Sequence, residues 1–174
     1  RALLDCDKPV VAVVTGAGKG IGRAIAVGLA EAGADVAVAS RTQADLDSVA
    51  AEITALGRRA LPLATDATDM AALERLAERT VAELGPPGIW VNNAGGIPDG
   101  TPRYLTRTGE AEFDAQIALN LKAVWMGSVV AARHMPESGG AIINISSRSA
   151  FGPQVKNGPY GASKAAVNSL TSTL

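Results

Sequence analysis

The sequence predicts a three-layer α/β/α fold, in which helices cover both faces of a doubly wound parallel β-sheet. Short apolar runs rich in β-branched residues alternate along the chain with longer segments of helical periodicity. Uninterrupted apolar strands are typical of parallel sheets that are buried on both faces, and strict alternation of the two patterns indicates right-handed βαβ units. Because no linker or repeat divides the 174 residues, we expect one domain over residues 1–174.

The predicted strands are apolar runs that end in small or polar residues. They are Val10–Thr15, Asp35–Ser40, Arg59–Leu63, Gly88–Asn92 and Ala141–Ser146. The segments between them repeat apolar residues with a period of 3.6, as amphipathic helices do. These helices are expected at Gly20–Ala32, Thr42–Leu56, Asp69–Leu84 and Gly109–His134, with a last helix opening at Tyr160. The buried face of the first helix is expected to carry Ile21, Ala24, Ile25, Gly28, Leu29 and Ala32.

A glycine-rich turn, TGAGKGIG at residues 15–22, stands between the first strand and the first helix. Glycine permits a tight turn and lets a pyrophosphate approach the backbone amides at a helix N-terminus. The strand–turn–helix context favours nucleotide binding over a purely structural turn. The spacing of Gly16, Gly20 and Gly22 differs from the common G-x-G-x-x-G fingerprint. The turn residues assigned to nucleotide binding are Gly16, Gly18, Lys19, Gly20, Ile21 and Gly22.

Two further strands end in residues that suit a ligand site. The fourth runs into NNAG at residues 92–95, and the fifth ends in Ser146 and Ser147. Open α/β sheets bind ligands in the crevice outside the carboxyl ends of their strands. Read alone, each segment is an ordinary turn or loop. Taken together they place Asn93, Ala94 and Gly95 in the predicted nucleotide site and a serine beside it.

Tyr160 and Lys164 are spaced so that they share one face of the last predicted helix. A free tyrosine has a pKa of about 10 and is a poor acid or base at neutral pH. A cation within a few ångströms of a phenol favours the phenolate and lowers that pKa. The pair is therefore interpreted as a proton-transfer group, whereas an isolated Tyr-x-x-x-Lys would be an ordinary surface helix.

These motifs, in this order, resemble those of the short-chain dehydrogenase/reductase family, of the compact type that includes the 3-oxoacyl-carrier-protein reductases. The resemblance implies a Rossmann-type sheet and an enzyme of the carbonyl reductase or alcohol dehydrogenase class. Such an enzyme transfers a hydride between a nicotinamide and a carbonyl or alcohol substrate. The matching residues are the glycine turn at 15–22, NNAG at 92–95, Asn120 in NLKAV, Ser147, and Tyr160 with Lys164.

The same resemblance implies a role for each catalytic candidate. Tyr160 is expected to be the general acid in ketone reduction and the base in alcohol oxidation. Lys164 is expected to support the phenolate and to bind the nicotinamide ribose. Ser147 is expected to hold the substrate oxygen, with Ser146 in a structural role. Asn120 is expected to help hold a water that links the lysine to solvent.

The end of the second strand bears on the choice of cofactor. NAD-binding relatives place an acidic residue there, which grips the ribose hydroxyls. This chain has Ser40 and Arg41, with Lys19 in the glycine turn. A guanidinium binds a phosphate bidentately, whereas a carboxylate would repel it. NADP(H) is therefore favoured, with NAD(H) as the alternative. The family resemblance implies that Asp66 and Ala67, after the third strand, flank the adenine, although Asp66 could equally serve the local turn.

Composition limits which other classes of protein the chain can belong to. The chain is 47% hydrophobic and 19% charged with a net charge of −1, which favours neither disorder nor a nucleic-acid surface. No uncharged apolar stretch, 123–132 included, is expected to span a membrane. Cys6 is the only cysteine and leaves no internal disulfide, which fits a cytoplasmic protein. His134 is expected to end a helix rather than to catalyse, and no metal-ligand spacing is evident.

Two other functions stay open on the sequence alone. One is a Rossmann-type nucleotide-binding protein that has lost catalysis, and the other is an enzyme similar to the sugar-nucleotide epimerases, which also use Tyr-x-x-x-Lys. The sequence specifies neither the substrate nor the direction of reaction. Family members continue beyond the point that corresponds to Leu174, so we expect the 174 residues to be part of a longer protein.

The last two predicted helices carry more apolar residues than one sheet face requires. These residues are Val124, Trp125, Val129, Val130, Ala162, Ala165, Ala166, Val167 and Leu170. Relatives commonly pair these two helices across a two-fold axis, which is the commonest oligomer geometry. We therefore expect a homotetramer.

Overall fold

A computed structural model of the protein describes residues 9–152 and 155–174, so Cys6 lies outside the described residues. Five parallel strands form one sheet in the order β3-β2-β1-β4-β5. The strands are β1 (Val11–Thr15), β2 (Asp35–Ser40), β3 (Ala60–Ala64), β4 (Pro87–Asn92) and β5 (Ala141–Asn144). The predicted strands are confirmed to within one or two residues at each end.

The helices follow the strands as the alternating pattern predicted. They are α1 (Gly20–Glu31), α2 (Gln43–Ala55), α3 (Met70–Glu83), α4 (Glu110–Ile117), α5 (Ala123–His134) and α6 (Gly158–Thr171). The last helix begins two residues before Tyr160, because Pro159 occupies its first turn, where a missing N–H costs nothing. The parallel sheet with flanking helices confirms the predicted α/β class.

Alternate residues of each strand feed two cores on opposite faces of the sheet. On β1, Ala12 and Val14 pack with α1 and α2, whereas Val13 packs with α3 and α5. Trp90, which is fully buried, anchors the second core beside Val13 in the β1–β4 pairing. Because both faces are covered, the strands read as continuous apolar runs rather than as alternating ones.

The predicted buried face of α1 was wrong in part. Ile21 is 67% exposed, and Ala24 and Gly28 are also exposed, whereas the fully buried residues of the helix are Gly22, Ala26 and Ala30. The small residues let the helix lie close to the sheet, so apolar character alone pointed to the wrong side. Ile21 faces a cleft instead of the core.

A π-helical turn at Ala118–Lys122, called the π-turn below, joins α4 to α5 and was not predicted. The continuous segment Glu110–His134 has the length and composition of a membrane-spanning helix among the described residues, with a mean hydropathy of 1.3 over its most apolar window. The sequence-based expectation considered only apolar stretches without a charged residue. It therefore did not detect this segment, which contains Lys122. Half of that window is buried inside the fold, as in the core helix of a globular domain.

The strand order creates a crevice at one end of the sheet. From β1 the chain crosses to β2 on one side, while β4 lies on the other side of β1. The connections therefore diverge from the carboxyl end of β1, and ligands of open α/β sheets bind at such a point. The glycine turn after β1 and the NNAG segment after β4 meet there.

A charged cluster lies at the start of β2. Asp35 is almost fully buried, and its carboxylate accepts hydrogen bonds from the Arg58 guanidinium (2.8 Å), the Arg59 backbone N–H (2.9 Å) and the Arg59 Nε (2.7 Å). Arg59 also donates to the terminal carbonyls of α3 at Glu83 and Leu84. The cluster joins β2, β3 and α3 and is stabilising only while all its partners are present.

Candidate active site

Thr15 joins the two segments that form the crevice. Its hydroxyl donates to the Val91 carbonyl at 3.3 Å and accepts from the backbone N–H groups of Asn93 (3.1 Å) and Ala94 (3.2 Å). The Asn93 side chain donates in turn to the carbonyls of Thr15 (3.0 Å) and Gly16 (3.1 Å). These bonds hold the end of β4 against the glycine turn, so the NNAG amides serve the architecture of the site.

Glycine is required in the turn because neighbouring atoms leave no room for a Cβ and because the backbone adopts a positive φ. Gly16 has a φ of +65°, and a Cβ there would lie 2.9 Å from the Asn93 side chain. A Cβ at Gly22 would collide with the Gly16 carbonyl. Lys19 precedes α1 without capping it through its side chain, and the first turn of α1 contains no acidic residue. The backbone amides at this helix end are therefore not capped by a carboxylate of α1 and are available to an anion.

Two adjoining clefts occupy the crevice and share Gly16, Ala94 and Gly95. The first, of about 360 Å³, lies at the ends of β2 and β3. Among the predicted site residues, this cleft is lined by Arg41, Asp66 and Ala67 in addition to the shared three. The second, of about 290 Å³, reaches the start of α6. Its predicted lining residues beyond the shared three are Lys19, Ile21, Gly22, Asn93, Tyr160 and Lys164.

The first cleft is polar at its outer end. The Asp66 carboxylate accepts from the N–H and the hydroxyl of Thr68, and these bonds, with the nearby Arg41 charge, hold the pKa of Asp66 below its ordinary value. Arg41 is exposed and, among residues 9–152 and 155–174, has no hydrogen bond or ion pair. The Ser40 hydroxyl oxygen is buried and has no hydrogen-bond partner in the same part of the chain.

The second cleft contains the tyrosine–lysine pair. Lys164 is buried, and its Nζ donates to the Ile145 carbonyl at 2.7 Å. This Nζ lies 5.9 Å from the centre of the Tyr160 ring. Burial lowers the pKa of the Lys164 ammonium. The helical spacing thus brings a phenol and a desolvated cation to one cleft, as the sequence predicted.

Asn120 lies in the π-turn and is fully buried. Its Oδ1 accepts from the Gly96 N–H at 2.8 Å, while its Nδ2 contacts the Gly96 carbonyl (2.8 Å), the Gln116 carbonyl (3.0 Å) and the Gln116 Oε1 (3.0 Å). A carboxamide nitrogen has two hydrogens for these three acceptors. Because a backbone N–H can only donate, the orientation of the Asn120 amide is fixed by its bond from Gly96.

Gly95 lets the side chains of Asn120 and Lys164 approach its backbone closely. A Cβ at Gly95 would lie 3.0 Å from the Asn120 Oδ1 and 3.3 Å from the Lys164 Nζ. The water link that the family resemblance implies for Asn120 stays a prediction.

The two serines after β5 have different surroundings. The Ser146 hydroxyl donates to the Lys164 carbonyl at 3.2 Å and lines the second cleft. Ser147 begins the short 3₁₀ turn Arg148–Ala150, and its Oγ accepts from the Ser149 N–H at 3.2 Å. Ser147 is not among the residues that line either cleft, so its contact with a substrate oxygen stays a prediction.

Most of the predicted site residues meet in this crevice. Gly18 and Gly20 lie in the turn but line neither cleft; Gly18 packs against Ser40 instead. His134 lies at the end of α5, where its Nδ1 contacts the Val130 carbonyl at 3.0 Å, far from the crevice in the fold. Within the described residues, no group of His, Cys, Asp and Glu side chains could hold a metal ion.

Sequence reasoning did not identify two residues of the site. Gln116 contacts Asn120, and Asp45 pairs with Lys19. Gln116 precedes Asn120 by one helical turn, and this spacing is the only sequence signal that could have identified it.

Comparison with known proteins identifies the family. The sequence model of the family described as short chain dehydrogenase matches residues 10–174. An uncharacterized oxidoreductase of Mycobacterium tuberculosis (strain CDC 1551 / Oshkosh) is 41% identical over 165 residues, which are 92% of this chain and 61% of that protein. The chain thus spans about three fifths of that curated relative.

Two solved structures share the fold at a TM-score of 0.89. The crystal structure of a short-chain type dehydrogenase/reductase from Mycobacterium marinum is 35% identical, with 94% of this chain and 65% of that chain covered. The X-ray structure of an alcohol dehydrogenase from the archaeon Thermococcus sibiricus, complexed with 5-hydroxy-NADP, is 28% identical, with 95% and 70% covered. Together with the tyrosine–lysine pair and the glycine turn, these matches show that the chain belongs to the short-chain dehydrogenase family.

Proposed function

We propose that the protein at its natural length is an NADP(H)-preferring oxidoreductase that transfers a hydride between the nicotinamide and a carbonyl or alcohol substrate. The observation that carries this proposal is the pair of adjoining clefts, which runs from Arg41 and Asp66 past the glycine turn to Tyr160 and Lys164. The family match favours this function over a sugar-nucleotide epimerase or an inactive nucleotide-binding protein.

The lining of the clefts fits an extended dinucleotide. Gly16, Ala94 and Gly95 place little more than backbone between the two clefts, where a pyrophosphate would bind near the start of α1. Asp66 and Ala67 would flank the adenine, and Lys164 would donate to the nicotinamide ribose. When bound, the cofactor would supply or accept the hydride, which no side chain of the protein can do.

Tyr160 would handle the proton of the reaction. In reduction its hydroxyl would donate a proton to the substrate oxygen, and in oxidation the phenolate would accept it. The Lys164 ammonium would stabilise the phenolate by its charge. The bond from Lys164 to the Ile145 carbonyl fixes the ammonium in place, so the cation is positioned before a substrate arrives.

A preference for NADP(H) is supported by the end of β2. Arg41 lines the first cleft and is not engaged by any acid among the described residues, so its guanidinium is available for a phosphate. Ser40 stands where NAD-binding proteins of this fold place an acidic residue. The Thermococcus sibiricus alcohol dehydrogenase, whose structure is a complex with 5-hydroxy-NADP, agrees with this preference.

Assembly and location are part of the same proposal. The outer faces of α5 and α6 carry Trp125, which is 45% exposed, and the exposed small residues Ala162 and Ala165. Pairing of these helices across two-fold axes would bury those side chains and give a homotetramer. A cytoplasmic location is proposed because a single cysteine leaves no internal disulfide.

Cofactor binding and turnover test the proposal separately. NADPH and NADH are titrated against the protein at its natural length while nucleotide fluorescence is followed, and a panel of ketones is then added while the nicotinamide absorbance is recorded. We expect tighter binding of NADPH and its consumption with at least one ketone. Binding without turnover across a broad panel of ketones and alcohols would support an inactive nucleotide-binding protein, and absence of binding would overturn the proposal.

A further inference from the structure

Asp45 lies where α2 begins beside the glycine turn. Its Oδ2 forms an ion pair with the Lys19 Nζ at 3.1 Å. A Cβ at Gly18 would lie 3.1 Å from the Asp45 Cβ and 2.9 Å from the Ser40 Oγ. Asp45 therefore packs directly against the turn, next to the end of β2, and neither its sequence context nor the family motifs assign it a function.

The two partners of this ion pair differ in exposure to solvent. The Lys19 side chain is 81% exposed, whereas that of Asp45 is 26% exposed. The lysine can therefore exchange partners, while the carboxylate stays beside the turn. Exposed ion pairs contribute little stability, so transfer of Lys19 from Asp45 to a phosphate would have a small cost.

The charges on either side of Asp45 determine what its carboxylate does. Arg41 and Asp66 line the first cleft, where the Arg41 charge acts on Asp66, and Lys19 lines the second cleft. Asp47, two positions further along α2, accepts instead from the Gln43 side chain at 2.8 Å. Asp45 is thus the carboxylate that contacts Lys19, and a phosphate bound between Lys19 and Arg41 would lie near its negative charge.

We propose that Asp45 is a specificity-determining residue for the cofactor. Its carboxylate holds Lys19 when no nucleotide is bound and repels the 2′-phosphate that distinguishes NADP(H) from NAD(H). This proposal rests on the proposed function, because it concerns the same nucleotide site. Asp45 thereby reduces the preference for NADP(H) that Arg41 and Ser40 provide, so that NAD(H) remains usable.

Replacement of the carboxylate by an amide of the same shape tests the proposal by binding alone. Asp45→Asn should tighten NADPH by about three- to tenfold, because a single charge near the surface has a modest effect on affinity, and should leave the NADH dissociation constant nearly unchanged. Asp47→Asn is the matched control, since it removes an equal charge from the same helix without touching Lys19. Both constants are measured by nucleotide fluorescence at low and at physiological ionic strength.

The outcomes separate this proposal from the proposed function. If the unmodified protein binds neither nucleotide, the proposed function fails. If it binds both and Asp45→Asn leaves the ratio of the two constants unchanged, or changes it no more than Asp47→Asn does, the role of Asp45 is overturned. Lys19→Met, made alone and with Asp45→Asn, completes a double-mutant cycle. Coupling between the two positions for NADPH supports the shared role, whereas additive effects contradict it.

Discussion

The Asn120 side chain forms two hydrogen bonds of 2.8 Å with the backbone of Gly96. Its Oδ1 accepts from the Gly96 N–H, and its Nδ2 donates to the Gly96 carbonyl. Gly96 has a φ of +136°, a conformation that residues other than glycine rarely adopt. Asn120 therefore fixes the segment after β4 in the shape that borders both clefts. A residue to which the family resemblance gives a catalytic role is thus also a structural clamp.

Asn120→Ala should lower the free energy of unfolding by about 2–3 kcal/mol, because it leaves the Gly96 N–H and carbonyl without their partner. Turnover should fall as well, since Gly96 lines the second cleft. Chemical denaturation measures the first effect and steady-state kinetics the second. Asn168→Ala in α6 is the control, since no side-chain hydrogen bond of Asn168 is found among the described residues. Equal destabilisation in both variants would contradict the clamp.

Tyr160→Phe should retain the fold and the binding of cofactor while turnover falls by roughly two to four decades, the usual weight of general acid–base catalysis. Tyr104 is the other tyrosine of the chain and provides the control. Its ring is partly exposed and lies near Lys156 (5.3 Å) and Arg107 (6.0 Å), so Tyr104→Phe should leave the rate of proton transfer unchanged. Near-normal turnover in Tyr160→Phe would contradict the role of Tyr160 as the general acid and base.

Arg41→Asp should weaken NADPH by about tenfold or more relative to NADH, because a bidentate phosphate partner is replaced by a like charge. Arg75→Asp reverses the same charge on α3, where Arg75 does not line the first cleft and pairs with Asp69 only at 3.9 Å. Dissociation constants for both nucleotides are measured in each variant. An unchanged ratio in Arg41→Asp would mean that the guanidinium does not face the 2′-phosphate.

Asp35→Asn should lower the free energy of unfolding at pH 7 by about 3 kcal/mol, because it leaves two arginines without their buried partner. Burial raises the Asp35 pKa, but the Arg59 N–H and guanidinium and the Arg58 charge together hold it below the ordinary 3.8.

The sign of the pH dependence follows from that lowered pKa. The folded protein binds fewer protons at Asp35 than the unfolded chain does, so the stabilisation is complete above pH 3.8 and is lost as the pH falls through the folded value. The difference between the wild type and Asp35→Asn should therefore shrink in acid. Urea denaturation from pH 7 to pH 3 measures it, and a constant difference would contradict the assignment.

Trp125→Glu should convert the proposed tetramer to smaller species, because a charge on the exposed face of α5 would have to be buried between subunits. Leu56→Glu is the matched control, since Leu56 is 44% exposed and Trp125 45%, but Leu56 lies at the end of α2. Light scattering at micromolar concentration gives the mass of each. A monomeric wild-type protein would contradict the proposed tetramer.

Much of this protein could be predicted from its sequence because the signals are local. A buried parallel strand shows itself as an apolar run, a helix as a period of 3.6, and the glycine turn as a short motif between them. The same holds for Tyr160 and Lys164, since one turn of helix places them on one face whatever surrounds it. That these two residues line a ligand cleft was expected because open α/β sheets bind ligands at the carboxyl ends of their strands.

Only the tertiary structure decided which residues meet across the chain. Asn120 and Gly96 are 24 positions apart. Lys19 and Asp45 are 26 positions apart, with the whole of α1 and β2 between them. The π-turn, the buried Ser40 hydroxyl and the small-residue face of α1 likewise depend on how closely the helices pack on the sheet. Periodicity specifies the face of an element, whereas contact distances come from packing the complete fold.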